Sequence, residues 1–223
     1  MSNMSSLQWA LIGDALSLGP HWIYDQNAIA EKYPNGVSNY SDPMASYHGE
    51  KKAGDFSHYG DQTLSLFLSL QNLGRFDRAK FLADWKELWE EYPGYIDGAT
   101  KSVLSSLEAG AYRPSISSDL GGAARVAAVS SALDDVSIEG QVKVAREQTL
   151  ATHDDGSAAD AAEFLVMLNN ESTDQRGIMK TLSDNALAGG DTCARALAIG
   201  MVLGAAFDGA MPDDLIDALS CNQ

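Results

Sequence analysis

The sequence predicts an all-α protein, a compact single-domain bundle of about ten helices over residues 1–223. Three observations predict it. Apolar residues recur at helical spacing along most of the chain, no stretch sustains the period-two alternation of a strand, and Gly and Ala are frequent where helices would have to approach closely. A hydrophobic share of 45% with only 21% charged residues excludes disorder as the main state, and 223 residues suffice for one sizeable core.

A first helix is expected over residues 6–18, ended by Gly19-Pro20, and a short second one over 25–33, closed by Pro34 and the Asn35-Gly36 turn signal. Residues 34–59 carry two prolines, three glycines and many polar groups, so this long connection is either functional or poorly ordered. Over 61–73, Leu64, Leu66, Phe67, Leu68, Leu70 and Leu73 surround most of the circumference, which predicts a buried central helix. Asp77 reads as the N-cap of a helix carrying Phe81, Trp85, Leu88 and Trp89, and another helix spans 97–108. An Ala-rich helix to about 133 follows, then helices over 138–150, 158–169, 177–187, 192–207 and 213–219. Gly200 and Gly204, four residues apart, predict a tight helix contact.

The balance of 15 Lys+Arg against 31 Asp+Glu leaves a net charge of −16. That excludes nucleic acid and anionic membranes as partners, because both need basic patches and Lys51-Lys52 is the only adjacent basic pair. Cys193 and Cys221 supply neither a disulfide framework nor a cysteine zinc site. With no leader pattern at the start and no apolar run long enough to span a bilayer, the expectation is a soluble cytoplasmic protein.

Three acid-bearing junctions stand out: Gly13-Asp14 inside the first helix, Tyr59-Gly60-Asp61-Gln62-Thr63, and Gly189-Gly190-Asp191-Thr192-Cys193. Asp61 and Asp191 are placed to cap helix N-termini, where bound anions are also favoured. Asp14 is harder to explain, since a carboxylate on an apolar helix needs partners. His21, His48, His58 and His153 show no zinc-ligand spacing. His48 and His58 flank a polar loop with Glu50, Lys51, Lys52, Asp55 and Tyr59, either the mouth of a site or solvated decoration. Cys193 is either a thiol activated by a helix N-terminus or a buried structural cysteine.

Taken together these segments resemble the ADP-ribosylglycohydrolase family. Gly13-Asp14-Ala15-Leu16 is similar to its opening G-D-A-x-G motif, with Ser17 in place of the last glycine. Gly60-Asp61-Gln62-Thr63 lies where the family has T-D-D-T, and Gly121-Gly122-Ala123-Ala124-Arg125 resembles G-A-A-M-R. Thr152-His153 resembles a Ser/Thr-His loop, and Gly189-Gly190-Asp191-Thr192 the start of the G-G-D-T-D-T helix. The resemblance implies a helical fold whose cleft holds two magnesium ions and cleaves the bond between ADP-ribose and its acceptor. Such a cleft would take a small nucleotide sugar or an ADP-ribosylated protein.

By that resemblance Asp61 and Asp191 are the metal ligands, with Gln62 adding a neutral carbonyl oxygen. Asp14, Gly121, Gly122 and His153 contact the substrate, and Glu50 is the catalytic candidate. The expected ligand set is depleted: Gly60, Gln62, Cys193 and Ala194 stand where the family has Thr, Asp, Asp and Thr, and Leu120 replaces an asparagine. The expectation is therefore a hydrolase of ADP-ribosyl or related nucleotide-sugar bonds with weakened metal dependence and at most one weakly bound magnesium. The alternative is a catalytically silent crystallin-like or ligand-binding relative.

Overall fold

A computed structural model describes residues 4–111, 113, 115, 122, 125, 129, 174–207 and 209–222. Among these it is all helical: α1 Met4–Leu18, α2 Gln26–Lys32, α3 His58–Leu73, α4 Arg78–Glu87, α5 Gly98–Glu108, α6 Gln175–Leu187, α7 Thr192–Ala205 and α8 Asp213–Asp217, with short 3-10 turns at Ser46–His48 and Ser220–Asn222. Gly122, Arg125 and Val129 are also helical, while the rest of that expected helix and those over 138–150 and 158–169 lie outside the described residues. No described helix is long and apolar enough to cross a membrane.

The centre of the bundle is the α1–α7 pair. A Cβ on Gly204 would sit 2.7 Å from the Ser5 carbonyl oxygen, one on Gly200 2.2 Å from that of Trp9, and one on Gly13 3.0 Å from that of Ala196. As the α1 number rises by four, the α7 number falls by four, so the helices run antiparallel with their backbones almost touching. Only glycine allows this approach, which is what the small-residue spacing predicted. Ser6 Oγ donates to Met201 O at 2.8 Å across the same seam. Trp9, Ile12, Leu16, Leu197 and Met201 are fully buried around it, and α6 closes one side with Ile178, Leu182 and Ala186.

Here the sequence expectation needs correcting. α3 is not the central helix: Leu68 and Leu73 are 43% and 40% exposed, and only one side of its C-terminal half is covered. A Leu-rich circumference cannot say which side of a helix will be covered. The connection over 34–57, by contrast, is ordered by long-range bonds. Val37 N donates to Ser183 Oγ, Tyr40 Oη to Leu215 O, and Ser220 N to Gly54 O. These tie the loop to α6, α8 and the C-terminal turn, and bring its polar residues to the start of α3.

Candidate functional site

The site is built on the first turn of α3. Its N-cap is Ser57, whose Oγ accepts from Tyr59 N at 3.1 Å, so Asp61 lies inside the helix and is not its cap. Asp14 reaches this turn from α1. Ser57 N donates to its Oδ2 at 2.7 Å and Ser57 Oγ to its Oδ1 at 2.5 Å. The mid-helix acid therefore has its partners: it anchors α3 onto α1 through two neutral donors. It is fully buried, and burial pushes its pKa up to about 7 against the pull of the Ser57 bonds. Gly60 makes room for it, because a Cβ there would lie 2.3 Å from Asp14 Oδ2. The absence of a side chain at Gly60 and the seat of Asp14 are thus one feature.

Asp61 points to the other side of the turn. Its Oδ2 accepts from the Lys51 ammonium at 2.6 Å and from the Tyr92 hydroxyl at 2.5 Å. Burial raises its pKa, and Lys51 and Tyr92 oppose the rise. The Tyr92 hydroxyl is pushed up by burial and then by Asp61, which keeps it a donor. Gln62 is buried between Trp85 and its own helix: Nε2 donates to His58 O at 2.9 Å and Oε1 accepts from Trp85 Nε1 at 3.0 Å. An indole N–H can only donate, so the amide oxygen is committed to it.

Asp191 approaches from the start of α7. It occupies the N-cap position without making a side-chain cap, so the capping expectation fails here too. Tyr59 Oη donates to its Oδ2 at 3.4 Å, and His21 Nε2 lies 3.8 Å from Oδ1. The preceding Gly189 and Gly190 both have φ +70°, a left-handed pair that brings Gly190 O to Trp22 N at 2.7 Å. Cys193 is fully buried and donates to Asp14 O at 3.4 Å. Burial pushes its thiol well up, so the activated-thiol alternative gives way to the structural one.

Behind Asp191 lies a buried histidine cluster, in which His48 and His58, expected either at the mouth of a site or as solvated decoration, are joined by His21. His21, His48 and His58 are all at most 3% exposed, with ring centroids 5.3 Å apart for His21–His48 and 6.3 Å for His21–His58. Burial lowers the pKa of His21 and His48. His58 Nε2 lies 3.3 Å from Asp97 Oδ2. Asp97 is the N-cap of α5; burial would raise its pKa, but the bonds from His58 and Thr100 outweigh it and hold the carboxyl at about 2.

Asp97 also lines a cavity of about 250 Å³ between α3, α4 and α5, together with Tyr59, Gln62, Trp85, Gly122 and Arg125. Of the residues expected to touch substrate, Gly122 lines this cavity and Asp14 is sealed beneath Ser57, while Gly121 and His153 lie outside the described residues. Glu50 is exposed on the loop, its backbone N–H donating to Pro93 O, and it does not line the cavity.

The three motif acids thus gather around one helical turn on different faces. Among the described residues, no group of three or more His, Cys, Asp and Glu side chains could hold a metal ion. Magnesium wants six oxygen donors. Here each Asp14 oxygen accepts from Ser57, Asp61 Oδ2 accepts from both an ammonium and a phenol, and the Gln62 amide oxygen accepts from an indole. Among the described residues this donor set does not fit a magnesium pair, nor one ion held by Asp61 with Gln62. Lys51, Tyr92, Ser57 and His21 are the partners the motifs did not reveal. Lys51 was visible as half of a basic pair and as one of the polar loop residues between His48 and His58, but not as a partner of Asp61, and Tyr92 carried no signal.

A family model described as ADP-ribosylglycohydrolase matches residues 8–177. No curated protein matches the chain.

Proposed function

The chain belongs to the ADP-ribosylglycohydrolase family, and from that premise we propose that it is a hydrolase acting on an ADP-ribosyl or related nucleotide-sugar glycosidic bond with weakened dependence on divalent ions. Family membership supports a hydrolase-like function; substrate and ion dependence are the proposal. The observation that carries it is the cavity between α3, α4 and α5, where Arg125 and the motif glycine Gly122 meet Asp97 and the aromatic Trp85.

That lining has the chemistry of a nucleotide-sugar subsite. A guanidinium matches phosphate oxygens, a carboxylate accepts ribose hydroxyls, and an aromatic wall takes a flat or apolar face. The volume of about 250 Å³ holds one end of such a ligand, with the remainder outside. Hydrolysis adds water across the glycosidic bond: water oxygen bonds the anomeric carbon and loses a proton, and the acceptor leaves with the bonding pair and gains one. Positive charge develops on the sugar ring during cleavage, and in this reading Asp97, ionised, held by the Thr100 N–H and 3.3 Å from His58 Nε2, stabilises it.

The test is release of ADP-ribose from a modified protein or a small nucleotide sugar, with magnesium and with chelator. Release that survives chelation and falls at least tenfold in Asp97→Asn supports the reading; release only with magnesium overturns the weakened ion dependence. The second reading, a silent ligand-binding or crystallin-like relative, is favoured by the protein donors already bonded to Asp14 and to Asp61 Oδ2. Calorimetric binding of ADP-ribose, lost in Arg125→Ala, without release under any metal would select it.

A further inference from the structure

We infer that Lys51 is the resident cation of this cleft, a tethered ammonium that fills the charge position at Asp61 and excludes divalent ions from it. Three features make this a built seat and not a chance surface pair. First, both partners are largely buried, the side chains of Lys51 and Asp61 being 9% and 17% exposed, so neither charge is neutralised by bulk water. Second, the ammonium has two ligating surfaces: Asp61 Oδ2 at 2.6 Å and the face of the Tyr92 ring at 4.8 Å. The hydroxyl of that same ring donates to Oδ2, so cation, carboxylate and phenol close one triangle.

Third, the loop that carries Lys51 is docked at Gly49, which no other residue can replace, and passes Gly94, whose missing side chain leaves room for the lysine stem. Gly49 has φ +68°, and a Cβ on it would stand 2.1 Å from the Pro93 carbonyl oxygen. The next residue's N–H, that of Glu50, donates to that oxygen at 2.9 Å. A Cβ on Gly94 would stand 2.9 Å from Lys51 Cε, so Gly94 leaves the channel for the lysine stem. The neighbouring Lys52 has no such seat: it is exposed, and its backbone N–H is tied to Asp55 Oδ2 at 2.7 Å. The 48–52 and 93–94 segments thus hold one ammonium against one carboxylate.

This deepens the reading of weakened ion dependence, and its test contains no nucleotide, so it stands or falls apart from the substrate proposal. The melting temperature of the intact protein should be unchanged by magnesium or manganese chloride beyond sodium chloride of equal ionic strength. Lys51→Ala should melt about 5 °C lower or more. Methylammonium chloride, which can enter the vacated seat, should restore part of that loss saturably, whereas Lys52→Ala should show neither effect. A saturable rise of the wild-type melting temperature with either divalent ion overturns the inference, as does a Lys51→Ala protein that is unshifted or unresponsive to methylammonium. If Lys51→Ala does not fold, reductive methylation of the wild type decides. Lys51 should stay unmodified while Lys52 is labelled, with or without magnesium; labelling of Lys51, or magnesium-induced labelling, overturns it.

Discussion

Asp14 and Asp61 stand on opposite sides of the same helical turn, both buried, both with raised pKa, and they are held by opposite means. Asp14 accepts from a backbone N–H and a hydroxyl, two neutral donors, and its pKa reaches about 7. Asp61 accepts from an ammonium and a phenol, and the ammonium opposes the desolvation that burial imposes. The difference separates two jobs. A carboxylate on neutral donors can take up a proton without losing its fold contacts, so Asp14 is an anchor. A carboxylate on a cation needs that cation, so Asp61 and Lys51 are a unit.

The most forceful way to break the comparison is to remove the cation. Lys51→Met leaves Asp61 buried with only Tyr92 and should cost about 3–5 kcal/mol in urea unfolding, most of it recovered by adding Asp61→Asn. If the double variant is no more stable than the single one, the two residues are not a unit.

Overfilling the seat of Asp14 should act next. Gly60→Ala puts a Cβ 2.3 Å from Asp14 Oδ2 and 2.8 Å from Phe56 Cβ. It should destabilise by about 1–3 kcal/mol, although alanine is worth roughly 1 kcal/mol more than glycine in a helix interior. A stabilised Gly60→Ala would show that Asp14 is not seated there. Asp14→Ala should cost about 2 kcal/mol by leaving Ser57 N–H buried without its acceptor, again read from urea midpoints.

A pH series sharpens the contrast. Folded Asp14 holds its proton up to about pH 7, whereas the unfolded group loses it near 3.8. The folded state therefore binds more protons in that window, and this group's contribution makes stability fall as pH rises from about 4 to about 7. Asp14→Asn should remove that slope. His21 and His48, lowered by burial, act in the other direction, since the unfolded rings take up protons first as pH falls through 6.5. The informative quantity is thus the difference between variant and wild type across pH 4–7. A difference that does not change with pH would refute the elevated titration of Asp14.

The smallest effect belongs to Asp191, whose side chain is 39% exposed and whose contacts with Tyr59 and His21 are long, at 3.4 and 3.8 Å. Asp191→Ala should cost less than about 1 kcal/mol, measured by the same unfolding. A large loss would mean that it, too, belongs to the buried network.

Much of this was legible in the chain. The Asp77 cap and the Gly200–Gly204 contact follow from local residue chemistry and appear where spacing placed them, while Asp25 and Asp97, read as first helical residues, turn out to be caps. The motif order also led to the family. The partners were not legible. Asp61 is paired with a lysine 10 positions earlier and a tyrosine 31 later, and Asp14 with a serine 43 away. No periodicity reports such separations.

The sequence by itself determined the helical class, the family and the three acids, because helix propensity, capping and motif spacing act within a few residues. Only the tertiary structure decided what each acid became. Burial and long-range donors set whether a carboxylate anchors a helix, holds an ammonium or meets solvent. Those depend on which distant segments the glycines at 13, 60, 94 and 200 allow to come close.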